Sequence, residues 1–282
     1  MATNKTASSK KSVTRVKAAP AASTKAKSTK VTTVKAVSAT KQSRGLSGLS
    51  SVKTPQVGAA VAEFVGAFML AAAYIAGQGQ PVLVLFALVG VVLAVGAVSG
   101  AHTNPAITIA AWATRKISAT RAAVYVVAQV LGAMLALVVL NAFVAQADAS
   151  QAAALGQAPA ELFRATEILK DKEWAILLAE LLGATIFGFA FASARKQLGR
   201  LTKAFTVGLG LFLALLVAGS AAMAVGGMTT ILNPAVAVAL QAIDFESVWP
   251  VAVYVLATVA GAIAGFALND LVNVDVDTAS DV

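Results

Sequence analysis

Six runs of about twenty residues, nearly free of charge, decide what this 282-residue chain can become. They lie at about 57–77, 81–99, 122–145, 174–194, 204–225 and 248–268, and the only charged residues inside them are Glu63 and Glu180. About twenty apolar residues is the length an α-helix needs to cross the hydrocarbon layer. Backbone polar groups in lipid must be satisfied within the segment, so these runs predict helices rather than open sheet. Composition agrees: 58% of residues are hydrophobic and only 12% are charged, too few to cover the surface of a soluble domain. The expected class is an all-α membrane protein with six transmembrane helices.

Two further apolar pieces, 104–114 and 233–243, are too short to span. Each opens with Asn-Pro-Ala: Asn104-Pro105-Ala106 and Asn233-Pro234-Ala235. Asn is a preferred helix N-cap, and proline fits the first helical position, where its missing N–H costs nothing. Both pieces therefore read as re-entrant half-helices. The halves of the chain also repeat each other. Ala62-Glu63-x-x-Gly66-Ala67 matches Ala179-Glu180-x-x-Gly183-Ala184, and Tyr125-Val126-x-Ala128-x-Val130-x-Gly132-Ala133 matches Tyr254-Val255-x-Ala257-x-Val259-x-Gly261-Ala262. Three spans per half is an odd number, so the second half enters the membrane in the opposite sense. The expectation is an inverted 3+3 repeat, with repeat 1 over about 57–145 and repeat 2 over about 174–269. Short interrupted segments at corresponding places of inverted halves point to a transport pathway.

Residues 1–53 carry twelve of the 22 Lys and Arg and no Asp or Glu. They show no apolar periodicity and read as a disordered basic tail. Residues 54–269 form the expected channel domain, and 270–282 an acidic C-terminal tail. Placing the N-terminus in the cytoplasm puts the tail, Arg115, Lys116, Arg121, Arg195, Lys196, Arg200 and Lys203 inside, leaving only Arg164, Lys170 and Lys172 outside. That partition follows the positive-inside rule and makes both termini cytoplasmic in a cell membrane. The first half-helix then dips in from the cytoplasm and the second from outside, and their Asn ends meet near the midplane. The tail has several readings: a solvated extension, a contact with anionic lipid, non-specific binding to nucleic acid without aromatic stacking, or a Lys-rich targeting segment.

A helix N-terminus carries unsatisfied N–H groups and about half a unit of positive charge. Two of them meeting in mid-membrane repel cations, and the amides of Asn104 and Asn233 can orient a passing water or hydroxyl. The irregular backbone before each Asn can offer carbonyl oxygens along a water-filled path. The candidates are Gly100, Ala101, His102 and Thr103 in the first half and Thr229, Thr230, Ile231 and Leu232 in the second. No cysteine is present and His102 is the sole histidine, so no metal site is expected. No cofactor is expected either, and the spans offer no nucleophile–base constellation for an enzyme.

With Ser99-Gly100-Ala101-His102-Thr103-Asn104-Pro105-Ala106 and the second Asn-Pro-Ala in view, residues 57–269 resemble the aquaporin and glycerol-facilitator family. The resemblance implies a passive channel for water or small neutral solutes such as glycerol, paired Asn residues in mid-pore, and homotetramers in which each subunit has its own pore. It also implies a constriction near Val84, Ala221, Thr230 and Val236. Water channels of this family usually carry Arg where this chain has Val236, and the usual bulky aromatic and His of the constriction are absent too. The apolar constriction implies a wider path than a strict water channel has.

Intramembrane carboxylates are candidates for proton coupling, which makes a proton-coupled transporter the alternative reading of Glu63 and Glu180. Their other role is structural: each accepts hydrogen bonds from the irregular backbone before a half-helix. His102 is either a pH-sensitive gate or a residue that fixes the pore loop. Gly66, Gly132, Gly183 and Gly261 read as close-packing points between helices. A non-conducting structural membrane protein is a third reading.

Overall fold

The computed structural model describes residues 55–145, 153–156 and 161–279. The expectations for the basic tail 1–53 and for the last three residues lie outside them. Among the described residues the regular structure is helical, and six helices are long and apolar enough to cross a membrane. Four full spans, α1 (Pro55–Ala76), α2 (Pro81–Ser99), α4 (Ala119–Ala145) and α5 (Glu173–Ala194), match the sequence expectation to within a few residues. The fifth span is α6 (Arg200–Met223). The sixth starts as a single turn, α8 (Val248–Val251), and passes through a π-helical turn, Ala252–Ala257, into α9 (Thr258–Ala279). Residues 270–279 of the expected acidic tail thus continue this helix.

The half-helices are α3 (Pro105–Ala113) and α7 (Pro234–Ala239), nine and six residues long rather than eleven. Both stop by the same device. Arg115 and Gln241 adopt left-handed conformations, φ 60° and 57°. After α3, Arg115 N–H donates to Trp112 O and Lys116 N–H to Ala111 O. After α7, Gln241 N–H donates to Val238 O and Ala242 N–H to Ala237 O. These are Schellman closures, usually built on glycine.

Within each repeat the first span packs against the third: α1 against α4, and α5 against α9. The spans α2 and α6 pack on each other across the repeats. The half-helices cross over as well, α3 lying against α9 and α7 against α4. The two repeats therefore share one core, and neither half-helix is held by its own repeat alone. Around this core the helices present many exposed large apolar side chains, among them Val61, Phe86, Val127, Leu178 and Leu213, as a lipid-facing surface requires. Trp174 and Trp249 meet edge-on, with ring centroids 5.1 Å apart, at the starts of α5 and the sixth span, a place where interfacial tryptophans anchor helices.

Candidate functional site

The sequence pattern fixes the start of each half-helix. Asn104 and Asn233 are extended, with φ −153° and −150°, and each precedes a proline at the first helical position. Asn104 Oδ1 accepts the Ala106 N–H at 2.8 Å, and Asn233 Oδ1 accepts those of Ala235 and Val236 at 3.0 and 3.4 Å. Each cap thus satisfies first-turn donors that would otherwise be orphaned. The other end of each side chain reaches across the repeats. Asn104 Nδ2 donates to Leu232 O at 2.8 Å, and Asn233 Nδ2 donates to Thr103 O at 2.9 Å. The two half-helices meet through this reciprocal pair. Each amide has two hydrogens, so one per Asn is left without an acceptor among the described residues.

The backbone before each Asn is strained. Ala101, Thr103 and Leu232 have φ of 52°, 47° and 58°, a region that disfavours side chains. The two intramembrane carboxylates hold it. Glu63 accepts the N–H of His102 at 2.9 Å and of Thr103 at 2.6 Å. Glu180 accepts the N–H of Ile231 at 2.6 Å and of Leu232 at 2.9 Å. Tyrosines from matched places in the third span of each repeat complete the brace: Tyr125 OH donates to Ser99 O at 3.0 Å and Tyr254 OH to Thr229 O at 3.1 Å. The π-turn carries Tyr254.

The first loop has an additional polar network. Gln129 Nε2 donates to Glu63 Oε2 at 2.7 Å and to Thr108 Oγ1 at 2.9 Å, and Thr108 Oγ1 lies 3.2 Å from His102 Nδ1. The buried His102 ring is also held edge-on between Tyr125 and Phe191, at centroid distances of 5.5 and 5.3 Å. That packing favours the loop-fixing role over a mobile gate.

Of the expected carbonyl acceptors, four are already engaged by protein donors. Thr103 and Leu232 accept the Asn amides, Thr229 accepts Tyr254, and Ile231 accepts Tyr74 OH at 3.3 Å. The carbonyls of Gly100, Ala101, His102 and Thr230 accept no hydrogen bond among the described residues. Spacing does not reveal these partners: three of the four donors cross from the opposite repeat, and Tyr254 comes from the third span of the same one.

A narrow void of about 10 Å³ lies where the half-helices meet, lined by Asn104, Asn233, His102, Thr103, Tyr74 and Ile231, with Leu70, Leu88, Phe187 and Leu211 closing its apolar side. About 10 Å³ is the least space that admits one water. The five residues Leu70, Tyr74, Leu88, Phe187 and Leu211 carried no motif in the sequence. A wider vestibule of about 210 Å³ opens on one side, lined by Ser99, Gly100, His102, Phe191 and the cations Lys116, Arg121, Arg195 and Lys203. Burial there holds Arg195 below the usual arginine pKa, partly offset by the nearby Asp270 carboxylate; Asp270 itself pairs with Lys116 at 3.0 Å.

The expected constriction residues are distributed unevenly. Val84 and Val236 are buried in the core, and Thr230 is half-buried. Ala221 is exposed on α6. The α6 residue that faces Thr230 is Gly219, where a Cβ would lie 3.6 Å from Thr230 Oγ1. Thr229, next to it, is tied to the connecting segment before α5: Thr229 N–H donates to Thr166 Oγ1 at 2.8 Å and Thr166 N–H to Thr229 Oγ1 at 3.0 Å. No group of three or more His, Cys, Asp or Glu that could hold a metal occurs among the described residues.

Residues 49–221 match the family model for "Major intrinsic protein". A glycerol uptake facilitator protein-like 6 of Lactiplantibacillus plantarum is 37% identical over 106 residues, covering 34% of this chain and 48% of that protein. Aquaporin AqpM of Methanothermobacter marburgensis is 32% identical over 111 residues, 37% of this chain and 42% of that protein. The chain thus matches less than half the length of these relatives. The solved structure of the aquaglyceroporin from Plasmodium falciparum superposes with a TM-score of 0.58, covering 80% of this chain and 99% of that one. At 17% identity this likeness concerns the fold alone.

Proposed function

The chain belongs to the major intrinsic protein family, and from that premise we propose that it is a passive transmembrane channel for water and small neutral solutes such as glycerol. Members of this family are channels rather than enzymes. The observation that carries the reading is the reciprocal Asn104–Asn233 arrangement around a void one water wide. Two helix N-termini converge there, and their partial positive charges oppose cations. The remaining amide hydrogens of both Asn residues orient a permeating oxygen, which interrupts a continuous proton wire. Gly100 and His102 line the basic vestibule and His102 also lines the void, so their backbone connects the two.

The alternative, proton-coupled transport through Glu63 and Glu180, is disfavoured by what those carboxylates do. Each accepts two backbone N–H groups of a strained loop, and Glu63 also accepts Gln129. Protonation would remove an acceptor from the loop, so a cycling carboxylate would loosen the pore. The protein is multi-pass, and the basic vestibule lies on the cytoplasmic side in this reading, as the distribution of Lys and Arg requires. Homotetramers in a cell membrane, cytoplasmic termini, and a basic tail 1–53 held to anionic lipid at about 1 kcal/mol per nearby Lys or Arg complete the proposal.

Purified full-length chain in liposomes, assayed separately for water, glycerol and protons, tests it. Water and glycerol should equilibrate faster than in empty liposomes, and protons should not. Solute accumulation driven by a pH gradient, or no flux of either solute, would overturn the channel reading.

A further inference from the structure

The two repeats treat one matched pair of carbonyls differently. Tyr74 on α1 and Phe191 on α5 occupy corresponding places, each eleven residues after its repeat's glutamate. His102 and Ile231 also correspond, each two residues before its Asn. In the α3 half, Phe191 meets the His102 ring edge-on and has no donor to offer the loop, and the His102 carbonyl stays free among the described residues. In the α7 half, Tyr74 is 1% exposed and lines the midplane void together with Ile231. Its hydroxyl donates to Ile231 O at 3.3 Å.

We propose that Tyr74 is a rate- and specificity-determining residue of the pore, which withholds the Ile231 carbonyl from permeating water and polyol hydroxyls. This rests on the channel reading above. A molecule in single file has no bulk water to complete its hydrogen bonds, so every carbonyl removed from the path raises the cost of the step beside it. The space at this point holds about one water. A phenol hydroxyl there competes with the permeant for both room and acceptor. The Tyr74–Ile231 distance is longer than the usual 2.7–2.8 Å for O–H···O bonds. A permeating water can therefore displace the hydroxyl, and Tyr74 slows passage without sealing the pore. The α3 half has no such competitor, so resistance concentrates on the α7 side.

Stopped-flow osmotic permeability of liposomes carrying equal amounts of full-length protein tests this. Tyr74→Phe keeps the ring and frees the carbonyl; water permeability should rise about two- to tenfold, the worth of one net hydrogen bond. Conduction by the wild type that Tyr74→Phe leaves unchanged or reduces overturns this inference alone. Absence of conduction in both the wild type and Tyr74→Phe overturns the channel reading with it.

Discussion

Gly66 and Thr103 are packed so closely that a Cβ on Gly66 would lie 2.6 Å from Thr103 Cγ2. The matched pair repeats the relationship: a Cβ on Gly183 would lie 2.6 Å from Leu232 Cδ2. Both glycines therefore make room for the residue just before each pore Asn, and that residue is held at positive φ. Gly132 and Gly261 instead face the backbone of Phe64 and Leu181 on the first span of their own repeat. The neighbour of Gly66 is a methyl group on a strained backbone, and the added Cβ would also lie 3.2 and 3.3 Å from Val91 and Val95, so it has little room to shift away. Gly66→Ala should cost about 1–3 kcal/mol, the usual penalty of overpacking. Gly58→Ala, with nothing within 4 Å of the new methyl, should be neutral or stabilising. Thermal unfolding midpoints of the two variants in detergent check the contrast, and equal midpoints would refute the packing role.

Glu63 and Glu180 can be separated from proton coupling by their isosteric amides. Gln retains one acceptor oxygen and turns an NH2 toward a backbone N–H. Glu180→Gln leaves either the Ile231 or the Leu232 N–H without its acceptor, which should cost about 1–3 kcal/mol. Glu63→Gln should cost a similar amount: with its amide oxygen at the Oε2 place it keeps the Thr103 N–H and Gln129, and the His102 N–H is left facing the NH2. Both variants should show lower unfolding midpoints, and any residual flux should remain downhill. A stable Glu180→Gln protein that loses pH-driven accumulation present in wild type would make the carboxylate a proton carrier.

The spans, the half-helix starts and the carboxylate braces were legible because each depends on local chemistry: run length, the Asn-Pro pair, a lone charge in an apolar run. The half-helix ends were not. Arg115 and Gln241 close their helices in a conformation that sequence ordinarily signals with glycine, so both helices came out shorter than their apolar runs. Gly219 and Ala221 are two residues apart on α6, roughly 200° around a helix of 3.6 residues per turn, so a two-residue difference in counting across the irregular stretch before Asn233 decides which of them faces Thr230. The crossed amides of Asn104 and Asn233 and the Tyr74–Ile231 bond join residues more than a hundred positions apart. Only the packing of the two repeats brings them together.

Asn104→Asp and Asn233→Asp test the crossed amides directly. A carboxylate cannot donate to Leu232 O or Thr103 O, and two acceptors would face each other at the present 2.8 and 2.9 Å. Its negative charge would also cancel the positive end of the half-helix. Each variant should lose stability by about 1–3 kcal/mol and either lose water flux or begin to leak cations. Unfolding midpoints combined with cation-dependent fluorescence in liposomes read both effects. Wild-type stability, water flux and ion exclusion in both variants would remove the pair from the centre of the pore.

Val236 follows the second Asn-Pro-Ala and would bring neither charge nor donor to the expected constriction. Its side chain is 1% exposed, inside the short half-helix α7. Val236→Arg would introduce a guanidinium too long for that space, and a placement of Val236 at the constriction has the new side chain extend toward the loop before Asn233. Thr230 O there accepts no hydrogen bond among the described residues, and this carbonyl can receive it. An unpaired charge at that depth is costly, which makes a carbonyl or water partner a condition for folding. The extended arginine would narrow the path and add a positive barrier. Glycerol flux should therefore fall more than water flux, and the glycerol-to-water permeability ratio should drop by about tenfold, equivalent to roughly 1.4 kcal/mol of differential barrier. Far-ultraviolet circular dichroism and elution as a single species identify the folded variant, and the two permeabilities are then compared with those of wild type. An unchanged ratio in the folded variant would mean that Val236 does not set the filter, leaving Tyr74 and the Gly219–Thr230 contact as the places where solute size is judged.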